Sequence, residues 1–373
     1  MSGPHPSPPR RAHRRGQAPT NGSDHAVGGL AGSAGSGLDA HAQRRYTSRM
    51  LTLVTGGTGL VGNGIARQLL ADGHAVRALV RDRERAAPLL PDAELVVGDV
   101  TDPDSLAAAM AGVERVYHAA GMPEQWQRDD GVFDRVNHQG TVHVLAAARA
   151  AGVARVIYTS TMDVFAAPRG GTLVETNLDP APKHTAYERS KQAADRAVDA
   201  AVAAGQDVVS VNPAAVYGPG PVHVALNGFF IRLLTGKVPA LPPGGMSVAY
   251  IDGVVGAHLA AADRGARGER YLVSDGYATT RELAIEAVTA AGSGKVPGAA
   301  PAWLLRAVAT VSAPLARTFG FTPLIAPGQL TFLQWQARVD STKAQTALGF
   351  EPTPLATGVA LTVKFLRDQG LVR

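Results

Sequence analysis

The sequence predicts an α/β fold, a doubly wound parallel sheet followed by a smaller carboxyl-terminal region. Three observations carry that expectation. An apolar run, Leu51-Thr52-Leu53-Val54, leads into the glycine-rich turn Thr55-Gly56-Gly57-Thr58-Gly59-Leu60-Val61-Gly62 and then into helical periodicity. Short apolar runs then alternate with helical stretches as far as residue 220, the pattern of successive βαβ units. The 373 residues are 45% hydrophobic and 18% charged, a composition that can bury a large core.

The turn comes first because its context gives it meaning. Gly56 permits the tight bend, Gly59 lets backbone approach a ligand, and Gly62 lets helix and strand pack closely. Thr58 and Leu60 lie in the same bend, and residues 63–72 carry a helical apolar stripe ended by Gly73. A helix amino end offers unpaired N–H groups and a positive dipole, which suits the pyrophosphate of a dinucleotide. Residues 74–80 read as the second strand, and it ends in Arg81 rather than an acid. An acid there would bind the ribose hydroxyls of NAD, whereas an arginine neutralises the 2′-phosphate of NADP. NADP is therefore preferred over NAD. Residues 95–100 read as a third strand, placing Asp99 and Val100 at the adenine. A fourth, over 113–117, leads into His118-Ala119-Ala120-Gly121, with Ala119 and Ala120 beside the cofactor.

Residues 186–204 form an alanine-rich helical stretch in which Tyr187 and Lys191, four apart, share a face. A free phenol titrates near about 10, and an ammonium beside it is expected to bring that down towards a working range. Lysine can also hold the nicotinamide ribose. The strand over 156–159 ends in Ser160 and Thr161, two hydroxyls able to bond a substrate oxygen. The eleven histidines show no ligand spacing, so no metal is expected.

In order along the chain, several motifs resemble those of the extended short-chain dehydrogenases/reductases, of the NAD-dependent epimerase/dehydratase family. They are Thr55–Gly62, Asp99-Val100, His118–Gly121, Asn137 in Val-Asn-His-Gln-Gly-Thr, Thr159-Ser160-Thr161, Tyr187-Glu188-Arg189-Ser190-Lys191, and Asn212-Pro213 to Gly220. The resemblance implies a Rossmann-type core over residues 50–220 that also holds the catalytic residues, with Pro213 among the cofactor contacts. Residues 221–373 would mainly bind substrate. It assigns Thr161 as the catalytic hydroxyl, with Ser160 as the alternative, and Tyr187 as the acid/base that works with Lys191. Hydride would pass between the cofactor and a carbonyl or secondary alcohol. Resembling enzymes commonly form homodimers through a pair of helices. Two departures stand out: threonine replaces the usual serine at 161, and Phe165-Ala166 replaces Tyr-Gly.

Family members acting on nucleotide-sugars commonly carry an arginine before a Tyr-Val-Asp segment. Here the matching stretch runs Met246-Ser247-Val248-Ala249-Tyr250-Ile251-Asp252, and a diphosphate would lack its bidentate partner. That favours the branch resembling dihydroflavonol reductases and 3β-hydroxysteroid dehydrogenases. Met122, Trp126, Asp163 and Tyr217 are the candidate substrate contacts, with Phe229 and Tyr250 as further walls. Residues 301–321, with only two charges, are expected to form a cap helix suited to an apolar substrate, and Asp252 is expected to cap a helix starting at Gly253. Two other readings share these residues: a sugar epimerase or dehydratase that retains its cofactor, and a non-catalytic NADP-sensing protein.

Composition narrows the field further. No run of roughly 18 uncharged apolar residues exists to span a membrane. The absence of cysteine excludes disulfides, cysteine-bound metals and thiol nucleophiles. The net charge of +5 resides in residues 1–49, which hold seven arginines and two acids, while the body is balanced. A balanced body offers no basic face to nucleic acid. The tail is rich in glycine and proline and is expected to be disordered, with the natural start at Met50. It lacks the apolar stretch of a secretory signal, so the expected location is the cytoplasm.

Overall fold

Buried β-branched runs that are apolar on both faces can pair only where helices cover both sides, so they collect into a parallel sheet. The computed structural model describes residues 50–221, 225–319 and 327–373; the expectations for residues 1–49 lie outside them. The strands are β1 (Leu51–Thr55), β2 (Ala75–Val80), β3 (Glu94–Val97), β4 (Arg115–His118), β5 (Arg155–Thr159), β6 (Thr172–Leu173), β7 (Val208–Pro213), β8 (Ala215–Tyr217), β9 (Gly245–Tyr250), β10 (Arg270–Val273), β11 (Gly276–Thr279) and β12 (Arg338–Val339). Seven make one sheet in the order β10-β7-β5-β4-β1-β2-β3, parallel throughout. The order reverses direction between β1 and β4, which opens a crevice at the carboxyl ends of those strands. This is the doubly wound α/β fold the sequence predicts.

The chain after residue 220 does two things. It adds β9 and β11 to β8 in a small sheet, β11-β9-β8, and it returns to the main sheet as β10 beside β7. The expected boundary at 220 is thus crossed by strand pairing, with Tyr271 opposite Val211.

The helices that matter for the site are α1 (Leu60–Ala71), α2 (Gly140–Ala150), α3 (Ala186–Ala203), α4 (Ile251–Arg264), α5 (Thr280–Ala291) and α6 (Ala302–Phe319). Helix α1 starts three residues before its apolar stripe suggested, because Leu60 and Gly62 also face the core. The third strand stops at Val97 instead of Val100. There the chain turns, and Asp99 Oδ1 accepts from both the N–H and the hydroxyl of Thr101 at 2.9 Å. Helix α4 begins at Ile251 with Tyr250 as its cap residue, so Asp252 lies in the first turn and does not cap it. The Tyr250 N–H is taken instead by Asp275, at 2.5 Å. Within the stretch expected to form a cap helix, residues 302–319 are helical as α6, which presents Trp303 (70% exposed), Val311 (63%) and Leu315 to solvent.

Candidate active site

The glycine turn sits between β1 and α1, at the crevice. Gly56 has φ +75°, and a Cβ there would lie 2.6 Å from the Ala119 carbonyl oxygen. A Cβ on Gly62 would lie 2.3 Å from the Gly56 carbonyl oxygen, so both positions demand glycine. Around Gly59 the only close atom is that same carbonyl, at 3.2 Å. The α1 amino end has no side-chain cap and no acid in its first turn. Its N–H groups are therefore open to an anion, and the cradle fits a dinucleotide pyrophosphate. Thr58 and Leu60 belong to this cradle, and Arg81 is exposed immediately after β2.

A buried hydrogen-bond chain ties the turn to the next loop. The Thr141 hydroxyl donates to the Asn137 carbonyl at 2.6 Å, so it can only accept from His118 Nε2 at 3.0 Å. His118 Nδ1 then accepts from the Thr55 hydroxyl at 2.8 Å, and Thr55 Oγ1 accepts from the Ala120 N–H at 3.2 Å. The Ala119 N–H donates to the Thr55 carbonyl. Burial pushes His118 down to about 3, which keeps the ring neutral as this chain requires.

The amino end of α3 is set by a capping box. Thr185 Oγ1 accepts from the Glu188 N–H at 3.0 Å, and the Glu188 carboxylate accepts from the Thr185 N–H at 2.8 Å. Tyr187 is thereby held in the first turn, its ring edge-on to Phe133 at 6.0 Å. Asn137 lies in a π-helical turn, Asp134–Gln139, a geometry common at functional sites. Its side chain accepts from the Met122 N–H at 2.7 Å and donates to Ser190 Oγ at 3.0 Å, joining the Met122 loop to α3.

Beyond β5 the adjacent hydroxyls part company. Ser160 donates to the buried Asp195 carboxylate at 2.6 Å, a group also bound by Arg270. Thr161 faces the other way: it donates to Asp163 Oδ2 at 2.7 Å and lies near enough to the Tyr187 phenol to act on it. Thr161, not Ser160, thus joins Tyr187. Val100 is buried near Gly140, and Pro213 is buried at the end of β7.

Lys191 and Tyr187 share α3, but the ammonium does not hold the phenol down as expected. Lys191 Nζ reaches back to the sheet, donating to the Tyr158 hydroxyl at 3.0 Å and the Thr159 carbonyl at 2.9 Å. Burial pushes Tyr187 well above the usual phenol range, with Asp163, Glu124 and Glu188 acting in the same direction. Lys191 itself is lowered to about 8 by burial.

Glu124 was not singled out from the sequence, because it lies in an irregular loop without periodicity. Burial, with Asp163 and Glu188 nearby, raises it to about 8, and Thr185 donates to its carboxyl at 3.3 Å. Asp163 is also buried and raised, and its Oδ1 has no partner among the described residues. Trp126, two residues after Glu124, is half-buried, and its indole N–H has no partner among the described residues. Tyr217 is fully buried against Phe230, Tyr250 and Gly358, which makes it a core side chain in this arrangement. Among the described residues no group of three or more His, Asp or Glu could hold a metal ion.

A glycine-rich cradle, with a tyrosine, threonine and buried lysine near the strand ends of a doubly wound sheet, is an arrangement that would suit a nicotinamide-linked enzyme. The family model for the NAD-dependent epimerase/dehydratase family matches residues 52–274. Sterol demethylase protein B of Methylococcus capsulatus is 34% identical over 328 residues, 87% of this chain and 100% of that protein. A putative dihydroflavonol 4-reductase of Synechocystis is 31% identical over 329 residues, 86% of this chain and 95% of that one. Among solved structures, the crystal structure of gox2253 aligns with a TM-score of 0.73 and 30% identity, covering 87% of this chain and 100% of that one. The chain belongs to the NAD-dependent epimerase/dehydratase family of extended short-chain dehydrogenases/reductases.

Proposed function

We propose that the protein is an NADP-dependent oxidoreductase that interconverts a ketone and a secondary alcohol on a mostly apolar small molecule. The observation that carries this reading is the gathering of the Thr161 hydroxyl, bonded to Asp163, with Tyr187 and Lys191 near the carboxyl end of β5. The bound nicotinamide supplies or accepts the hydride. The phenol of Tyr187, held protonated by its buried acidic surroundings, is in the form that donates a proton to a carbonyl oxygen. Thr161 steadies the same oxygen as charge develops on it. Lys191, fixed against Tyr158 and Thr159, would orient the nicotinamide ribose.

The apolar substrate is supported by the exposed apolar side chains of α6 and by the missing arginine in the 246–252 segment. The names of the two relatives, a sterol-modifying protein and a flavonoid reductase, point the same way. The family name also covers epimerases and dehydratases, which regenerate their cofactor within each cycle. The deciding assay is NADPH consumption with a panel of cyclic apolar ketones. Wild type should oxidise NADPH in step with ketone, and Tyr187→Phe should lose about 10²–10⁴-fold in kcat/KM. Bound dinucleotide with no net consumption would favour the epimerase reading, and activity untouched in Tyr187→Phe would remove the assigned proton donor.

A further inference from the structure

Thr161 has one hydroxyl proton to give, and in this structure Asp163 holds it. Asp163 Oδ2 takes it at 2.7 Å, while the Asp163 N–H approaches the same hydroxyl oxygen at 3.3 Å. The Tyr187 phenol is the other group on which that hydroxyl acts. While the proton is committed to the carboxylate, Thr161 can only accept from Tyr187 or from a substrate. A ketone oxygen also only accepts, so this orientation cannot steady it.

We propose that Asp163 is a positioning residue that decides whether the Thr161 hydroxyl proton points at the reacting oxygen or away from it. This rests on the oxidoreductase reading above. With a neutral carboxyl, Asp163 donates to Thr161 Oγ1, and the Thr161 proton is released towards Tyr187 and the substrate. In ketone reduction hydride adds to the carbonyl carbon and the Tyr187 proton passes to the resulting alkoxide oxygen. The Thr161 proton then passes to Tyr187, the Asp163 proton to Thr161, and solvent returns one proton to Asp163. Alcohol oxidation runs the same chain backwards, ending with the proton on Asp163.

The surroundings suit a carboxyl that titrates in the working range. Asp163 is 7% exposed, and its Oδ1 has no partner among the described residues. Burial is the main influence raising it, to about 6. The groups acting on it are Glu188 and Lys191 on α3, Lys183 in the preceding loop, Glu124 beyond β4, Tyr187 and the Thr161 hydroxyl. Lys183 is already engaged by Asp179 at 2.9 Å and the Phe165 carbonyl at 2.6 Å, and Lys191 by Tyr158 and Thr159. Neither ammonium pairs directly with Asp163.

The test is the pH profile of ketone reduction in wild type and Asp163→Asn. An amide does not titrate and offers its N–H₂ to Thr161 at every pH. The ratio of variant to wild-type kcat/KM should therefore rise about tenfold between about pH 5.5 and about pH 8. A ratio constant within about twofold over that range would overturn the proposal, since a merely structural loss shifts both ends alike. A second measurement needs no turnover: ¹³C titration of the Asp163 carboxyl in wild type and Thr161→Val. Loss of the Thr161 donor should raise the midpoint, and an unmoved midpoint would equally overturn the proposal. Should wild type reduce no ketone, the oxidoreductase reading falls, and the carboxyl titration still decides the Thr161–Asp163 coupling.

Discussion

Ser160 and Thr161 show how much turns on a single residue step. Neighbours in an extended segment point to opposite sides, so one hydroxyl meets Asp195 while the other meets Asp163. The sequence named both candidates, and only the packed partners separate them. Arg81 is the residue on which the proposed NADP preference rests. Exposed just beyond β2, its guanidinium has no partner among the described residues and would form a bidentate pair with a 2′-phosphate, which NAD lacks. Arg81→Ala should therefore weaken NADPH binding by about 1.5–3 kcal/mol, the scale of a charged hydrogen bond, and leave NADH binding within about twofold. Fluorescence titration with both dinucleotides measures the difference. Equal loss for the two would show that Arg81 does not read the 2′ position.

Elements were legible where the local pattern is strong and short of legible where tertiary contacts decide. The turn and strand β1 follow from adjacent residues, and so does α3, whose Thr185-x-x-Glu188 box fixes its first turn. What no periodicity displays is Glu124, carried into the site by a loop that Asn137 anchors from a distant turn. The end of β3 and the start of α4 moved for the same reason: Ser105 and Asp275 supply partners from elsewhere in the chain. The capping signature recurs at Thr279-x-x-Glu282 before α5, away from the site, where both reciprocal bonds form. Thr279→Ala removes the acceptor for the Glu282 N–H and should cost about 1 kcal/mol of stability. Urea denaturation should show this as a lower midpoint with an unchanged slope, and with cofactor binding unaffected.

Across the whole molecule, buried titratable groups pull stability in opposite directions. Burial raises Asp163 to about 6 and Glu124 to about 8, so the folded chain keeps protons there that the unfolded chain has lost. Their contribution is present at low pH and fades as pH rises through those values. The buried histidines do the reverse. His258 donates through Nδ1 to the Val254 carbonyl at 2.7 Å, which leaves Nε2 to accept from Thr159 at 2.9 Å. Burial lowers this ring to about 4, so the folded chain refuses a proton that an unfolded histidine takes near about 6.5. Stability from His258 is therefore full above that unfolded value and is lost as pH falls towards the folded one. A glutamine at 258 cannot charge and removes this loss. Relative to wild type, His258→Gln should gain up to about 1.4 kcal/mol for each pH unit below about 6.5, whatever its cost at neutral pH. Urea unfolding of both proteins at about pH 6.5 and about pH 4.5 reads the change directly. A stability difference that stays the same at both values would mean the folded protein already accommodates a charged imidazole between β5 and α4.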